Sequence, residues 1–217
     1  MSADVQTIIE MHKYMRPAGG PTDAVFIERY LKPLGFRSDN FGNQHLEVGG
    51  DRRIMFSSHT DTVHKQDSMQ KLKYKDGILR PRSQNCLGAD DTAGIWLMTE
   101  MVKAGVPGLY VIHFGEERGC LGSRELANSE NYFEGVEIAI AFDRAGYRDV
   151  ITHQMGMRTA SDAFAEELVA LLPFPAPCVW RWSRVPVLRC VRPARSPGVR
   201  RRFLLPYRNC APRVPSR

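Results

Sequence analysis

His59 and Asp61 stand two residues apart in Ser57-Ser58-His59-Thr60-Asp61-Thr62, shortly after the apolar run Ile54-Met55-Phe56. An imidazole can bind a metal ion, and a carboxylate beside it can hold the ring in orientation. Two acidic clusters follow: Asp90-Asp91 in Gly88-Ala89-Asp90-Asp91-Thr92, and Glu116-Glu117 in Gly115-Glu116-Glu117-Arg118-Gly119. A single carboxylate, Asp143, ends the apolar run from Val136 to Phe142. One histidine with several carboxylates and no cysteine ligand suits Zn²⁺, Mn²⁺ or Co²⁺. The acidic groups exceed what one catalytic zinc needs. A pair of metals about 3.5–4 Å apart, bridged by a carboxylate and a water, would use them all. Such a pair lowers the pKa of the water and polarises a carbonyl, and a free carboxylate nearby acts as general base.

Each motif also has an ordinary explanation. A His-x-Asp triplet is commonly a turn, and a lone Asp before a helix is commonly a cap that meets the orphan amides and the helix dipole. Glu-Glu before glycine is commonly an exposed charged turn. The weight comes from the elements that carry the four motifs.

Ile54-Met55-Phe56 reads as a short buried strand, with His59 and Asp61 just past its C-terminal edge. Asp90-Asp91 precedes Ile95, Met98 and Val102 at helical spacing, so the pair marks a helix N-terminus. Leu109 to Phe114 is a strand that ends in Glu116-Glu117, and Val136 to Phe142 is another that ends in Asp143. In open α/β sheets, ligands bind at the C-terminal edge of the strands. Four separate strand or helix ends thus bring ligand-type side chains to one rim.

Around these lie a helix over residues 4–15, broken by Pro17-Ala18-Gly19-Gly20-Pro21. A second helix is capped by Thr22 or Asp23 and stops near Pro33-Leu34-Gly35. A hairpin turns at Asn40-Phe41-Gly42-Asn43, and a small edge hairpin is centred on Asp76-Gly77. Gly122 to Asn128 is a short helix, Asp149 to Gln154 a further strand, and Ser161 caps a helix running to Leu172. The alternation predicts an α/β fold, a three-layer α/β/α sandwich with a mostly parallel central sheet.

The joint set His59-Thr60-Asp61, Gly88-Ala89-Asp90-Asp91, Glu116-Glu117 and Asp143 resembles the co-catalytic zinc exopeptidases. These include carboxypeptidase G, peptidase T, the aminoacylases and the single-domain zinc aminopeptidases. The resemblance covers about residues 5–172, in the family's order. It implies that His59, Asp90 and Asp143 hold one metal with Asp90 bridging, and that Glu117 binds the second. It implies Glu116 as the general base, Asp61 as the support of His59, and a cis Asp90–Asp91 peptide. The implied cofactors are two divalent ions, zinc first, with cobalt or manganese as alternatives. The implied substrates are short peptides or N-acyl amino acids.

Two features depart from the family. No lid domain follows the Asp143 strand, and the second metal's C-terminal histidine has no counterpart. The last histidine is His153, ten residues after Asp143. The alternative to an active enzyme is therefore an inactive or metal-binding remnant. His12, His45, His64 and His113 lie in no motif.

The net charge of +6 conceals two unlike parts. Residues 174–217 hold 11 Arg and 8 Pro but no Lys, Asp or Glu, whereas residues 1–173 carry 19 basic and 24 acidic residues. The expected organisation is a catalytic domain over 1–173 and an Arg/Pro-rich tail over 174–217. That tail has the composition of a nucleic-acid arm, of a disordered segment, or of GC-rich DNA read out of frame after about codon 173, and the last fits best. The fold is then incomplete at its C-terminal end, and nucleic acid is not an expected partner. No apolar run reaches the ~18 residues of a membrane span. No signal peptide is visible, and five irregularly spaced cysteines form no disulfide framework. A reducing cytoplasm is the expected setting.

Overall fold

The structure, a computed structural model, describes residues 3–129, 131–143, 150–154, 157–171 and 178–179. Helix α1 spans Ala3–Met11 and is followed by the short strand β1, Tyr14–Met15. The sequence predicts helix as far as residue 15, but the chain turns out earlier. Gln70 donates its backbone N–H to Lys13 O (2.8 Å) and its side-chain amide to His12 O (2.8 Å). Those bonds hold the segment extended, so that β1 pairs antiparallel with Ser68–Met69, strand β5.

Helix α2, Pro21–Phe26, runs on as a π-helical turn, Ile27–Leu31, and a 3₁₀ turn, Lys32–Leu34. Its N-cap is Gly20 with Pro21 behind it, rather than Thr22 or Asp23. Proline suits that place because its missing N–H would be an orphan anyway. Thr22 instead donates its hydroxyl to Met15 O, and Asp23 is buried beneath the helix. The helix ends as expected at Gly35, whose φ of 97° needs a residue without Cβ.

The main sheet has the order β2-β3-β8-β4-β9. Its strands are β2 (Arg37–Ser38), β3 (Gln44–Val48), β4 (Ile54–His59), β8 (Gly108–His113) and β9 (Ile138–Ala141). The expected hairpin at residues 40–43 joins β2 to β3, its turn held by Asp39 accepting from the amides of Phe41 and Asn43. Strand β4 pairs parallel with β8 and β9, while β3 pairs antiparallel with β8. The sheet is therefore mixed, and its parallel part carries the motifs. Strand β4 runs further than its apolar core suggests. Ser57, Ser58 and His59 pair with Val111, Ile112 and His113, so His59 is the last residue of the strand rather than a residue beyond it.

Alternation across the strands makes two cores. Phe56, Tyr110 and Ile112 face Met11, Phe26, Leu31, Ile95 and Met98. Met55, Leu109 and Val111 face Leu126 on the opposite side. Helix α3 (Ala89–Lys103) thus covers one face and α4 (Leu121–Asn128) the other, the expected α/β/α layering. Tyr110, Val111 and Ile112 are wholly buried, each contributing roughly 1.5–3 kcal/mol.

Strands β6 (Leu72–Lys75) and β7 (Ile78–Pro81) form the expected small hairpin, but as a two-stranded sheet of their own rather than at the edge of the main sheet. The strand predicted over 149–154 is broken at Thr152. Strand β10, Val150–Ile151, pairs parallel with β13, Cys178–Val179, while β11, His153–Gln154, pairs antiparallel with β12, Met157–Arg158. Helix α5, Asp162–Leu171, begins at the predicted cap, where Ser161 Oγ accepts the Phe164 amide (3.2 Å). Asp149, Leu172 and the tail from residue 174, Cys178–Val179 excepted, lie outside the described residues.

Candidate metal centre

Because β4, β8 and β9 are parallel, their C-terminal ends share one edge of the sheet. His59 closes β4, Gly115-Glu116-Glu117 follows β8, and Asp143 follows β9 by two residues. Helix α3 delivers Asp90 and Asp91 to the same edge. Ligand atoms of His59, Asp90 and Glu117 lie within 4.8 Å of one another, as do those of His59, Asp91 and Asp143. These are the two groups of metal-ligand geometry among the described residues; His59, Asp90, Glu117 and Asp143 are the expected ligands, whereas Asp91 stands in a motif without a ligand role assigned to it. His153 belongs to neither group. Its ring pairs with the Thr152 hydroxyl at 2.9 Å.

The adjacent aspartates divide the two readings of an acidic pair between them. Both have non-helical backbone angles, and the peptide between them is cis, as the resemblance implies. Asp91 is buried; its Oδ1 accepts the Gly94 amide (3.0 Å), the bond of a helix N-cap, and its Oδ2 accepts the Ser58 hydroxyl. Both its oxygens are thereby engaged in structure. The Asp90 side chain is 53% exposed and turns to His59, with Oδ1 2.9 Å from Nε2. The capping explanation holds for Asp91, and Asp90 is the one left facing the cleft.

Asp61 does more than its place beside His59 suggests. It is fully buried, with Oδ1 3.4 Å from His59 Nδ1, too long for a strong hydrogen bond but close enough to orient a ring proton. Oδ1 also accepts the Glu116 amide (2.9 Å), and Oδ2 accepts the Glu117 amide (3.1 Å). One carboxylate thus fixes the imidazole and the turn that bears both glutamates. Glu116 Oε1 in turn accepts from Cys120 Sγ (3.4 Å).

A residue absent from every motif lies beneath the site. Arg16 is 0% exposed. Its Nε donates to Thr60 O (2.7 Å), its Nη2 donates to Thr92 Oγ1 (2.9 Å), and its guanidinium covers the Phe26 ring at 3.8 Å. Thr60 follows His59 and Thr92 follows Asp91, so Arg16 ties the two ligand-bearing segments from below. Burial pushes its pKa down to about 10 against the pull of Asp23, Asp61 and Asp91, which leaves it charged at neutral pH. Asp23 is raised to about 6, mainly by burial. Nothing in the local sequence marks Arg16, because its partners are 44 and 76 residues away.

Gly94 lets helix α3 approach strand β9. A Cβ there would stand 2.3 Å from both Asp91 Oδ1 and Phe142 O, one residue before Asp143. Gly94→Ala is therefore expected to push the helix start away from the strand end and to cost about 1–3 kcal/mol. Urea unfolding measures the loss, and isothermal titration with zinc should show weaker binding in the same variant. Unchanged stability would mean that helix and strand part freely.

The charges have a pH signature. Burial raises Asp91 to about 7 against the pull of His59, and burial followed by the charge of Asp90 raises Glu117 to about 7. Glu116 and Asp143 are also raised, first by burial. Asp90 is lowered through its hydrogen bond to His59. Burial opposes the charged ring of His59, but Asp61 and Asp90 overcome it and hold His59 well above its ordinary value. Ordinary carboxylates titrate near 4, so between about pH 4 and pH 7 the folded metal-free chain binds more protons than the unfolded one. Its stability falls as pH rises through that window. Asp39 and Asp51, both lowered, act below it, while His12, His64 and His113, lowered by burial, oppose the trend below about pH 6.5 but are outnumbered by the raised Asp23, Asp91, Glu116, Glu117 and Asp143. Chelator-treated protein is expected to melt higher at pH 5 than at pH 7.5. Saturating zinc should reverse the order, because its ligands must be deprotonated. A melting point that climbs with pH in chelator would contradict these environments.

Solved structures share this fold. A tripeptidase from Staphylococcus aureus superposes with a TM-score of 0.57 at 22% identity, over 70% of this chain and 46% of that one. The aminopeptidase PepT from Bacillus cereus gives 0.57 at 23%, again over 70% and 46%. Human carnosine dipeptidase 1 gives 0.50 at 17%, over 67% and 39%. The chain thus spans less than half the length of each. No curated protein matches it significantly in sequence. Residues 42–173 match the description of a single family, a span that holds every member of both ligand groups and more than half of the chain: the chain belongs to peptidase family M28.

Proposed function

We propose that the chain performs metal-dependent hydrolysis of peptide or amide bonds in short peptides or N-acyl amino acids. The observation that carries this reading is the pair of ligand-distance groups that meet at His59 on the parallel edge, one with Asp90 and Glu117 and the other with Asp91 and Asp143. Its nitrogen and oxygen donors fit zinc, cobalt or manganese. His59, Asp90 and Asp143 would hold one ion, with Asp90 shared, and Glu117 would serve the second. When bound, the ions supply Lewis-acid polarisation of the scissile carbonyl and lower the pKa of the attacking water.

The chain's own groups do the rest. Glu116 takes the proton of the attacking water and delivers it to the leaving amine. Its burial, which raises its pKa, suits a carboxylate that must hold a proton between those two events. Asp61 keeps His59 and the Glu116 turn in mutual register. Asp91, engaged by Ser58 and Gly94, steadies the helix end that presents Asp90. We place the catalytic domain in residues 1–173 and the setting in a reducing cytoplasm, where Cys86 and Cys120 stand as thiols. No helix among the described residues is long and apolar enough to cross a membrane.

The test is hydrolysis of a panel of di- to pentapeptides by the purified full chain, titrated with Zn²⁺, Co²⁺ and Mn²⁺. Turnover that appears with metal and disappears with chelator supports the proposal. One ion bound per chain with no turnover at any metal level would replace it with the metal-binding remnant.

A further inference from the structure

The β6–β7 hairpin sorts its side chains by charge. Lys73 lies directly across from Arg80, and Lys75 across from Ile78, so these share one face. Leu72 with Pro81, and Tyr74 with Leu79, occupy the other. Leu72, Leu79 and Pro81 are half-buried, whereas Lys73, Lys75 and Arg80 are exposed. The ladder continues one step, with Arg82 N donating to Lys71 O (2.8 Å), which adds two exposed cations to the same face.

Five cations on so short a hairpin are costly. Like charges directly opposite destabilise a strand pair, and a lone two-stranded hairpin is marginal in water. The acidic neighbour in ion-pair reach is Asp76 at the tip, 3.9 Å from Lys75.

The base of the hairpin is also tied to the segment that leads into Asp90. At its base the Gln70 side chain donates to Leu87 O (3.0 Å), and the His64 ring pairs with Cys86 O (3.0 Å). His64 follows the His59–Asp61 segment, and Leu87 precedes Asp90 by three residues. From that base each four-residue strand extends roughly 13 Å, the length of about four residues of extended peptide.

We infer that the cationic face of this hairpin recognises acidic side chains of a peptide whose scissile bond lies at the metal centre. The inference rests on the proposed hydrolysis and names its substrate class: peptides of roughly four to six residues with Asp or Glu beyond the cleaved bond. Lys73 and Arg80, opposite each other on that face, give complementarity and steer encounter, an effect that salt screens, while Arg82 Nε donates to Leu72 O (3.2 Å).

The experiment compares Ala-Ala-Glu-Glu-Glu with Ala-Ala-Ala-Ala-Ala on the zinc-loaded full chain, and follows fluorescein-labelled Ala-Ala-Glu-Glu-Glu by anisotropy. The expected result is a preference of about tenfold in kcat/KM for the acidic peptide in low salt, the size of two or three exposed ion pairs. It should shrink several-fold in 0.5 M NaCl, about the Debye-length change that screens such pairs. Lys73→Glu/Arg80→Glu and the milder Lys73→Gln/Arg80→Gln should bring the ratio to about one without lowering the melting temperature, because they relieve the cross-strand repulsion. Equal treatment of the two peptides by the wild-type chain, or a preference that survives both variants, overturns the inference and leaves the hydrolysis proposal standing. If neither peptide is cleaved, hydrolysis fails, and anisotropy decides recognition alone: salt-sensitive binding lost in the variants supports it. Displacement of the peptide by oligo(dT) at a lower concentration than the peptide itself requires would mark a nucleic-acid surface and sink it.

Discussion

Glu116→Gln is expected to lower kcat by a factor of about 10²–10⁴, the usual contribution of a positioned general base. The amide has nearly the same shape but cannot take a proton. Because the Glu116 backbone amide, not its side chain, anchors the turn to Asp61, the substitution leaves that anchor intact. Zinc affinity and the melting temperature should therefore stay near wild type while turnover collapses. The pH profile is the sharper check. An acidic limb of kcat/KM that vanishes in the variant assigns the titrating group to Glu116. A kcat within threefold of wild type would remove Glu116 from the chemistry and leave Glu117 as the carboxylate to test.

The second large effect is on stability. Arg16→Met should cost about 3–5 kcal/mol, the range for removing one member of a buried charge set. The methionine can fill much of the volume over Phe26, but it leaves Thr60 O and the Thr92 hydroxyl without their donor. It also leaves the buried carboxylates of Asp23, Asp61 and Asp91 without their nearest fixed cation. Arg16→Lys should recover part of the loss, since an ammonium keeps the charge but not the two-pronged reach. Urea unfolding of the three chains in chelator measures the stability, and zinc titration reads whether the ligand segments stay aligned. A loss below about 1 kcal/mol would show that the threonine contacts are replaced by water.

The two residues behind these predictions differ in how readily the sequence discloses them. Glu116 sits in a local pattern, a strand followed by paired carboxylates and glycine, and the same holds for His59, Asp90 and Asp143. Strands rich in buried apolar residues, such as Leu109 to Ile112, and caps such as Ser161 are local too. Arg16 is not, because its meaning lies in contacts to positions 60 and 92. Asp61 was legible as a partner of His59 two residues away, but its grip on Glu116 and Glu117 spans 55 and 56 residues. Tyr14–Met15 shows the same limit from the other side. Its helical spacing is outweighed by a strand partner at 68–69. Likewise, paired aspartates announce either a cap or a ligand, and only the bonds from Ser58 and Gly94 separate Asp91 from Asp90.

The long reach of Asp61 also bears on how the protein comes into being. The carboxylate has its amide partners only after β4 and β8 have aligned, and β8 is reached through the whole of helix α3. Contacts of such separation form late, since the loop between them must close before they are rewarded. A ribosome-bound or partly melted chain therefore holds His59, Asp90 and the paired glutamates as unrelated side chains. The proposed hydrolysis would then be withheld from every immature form of the molecule, with pairing of β4 to β8 as the event that assembles the site.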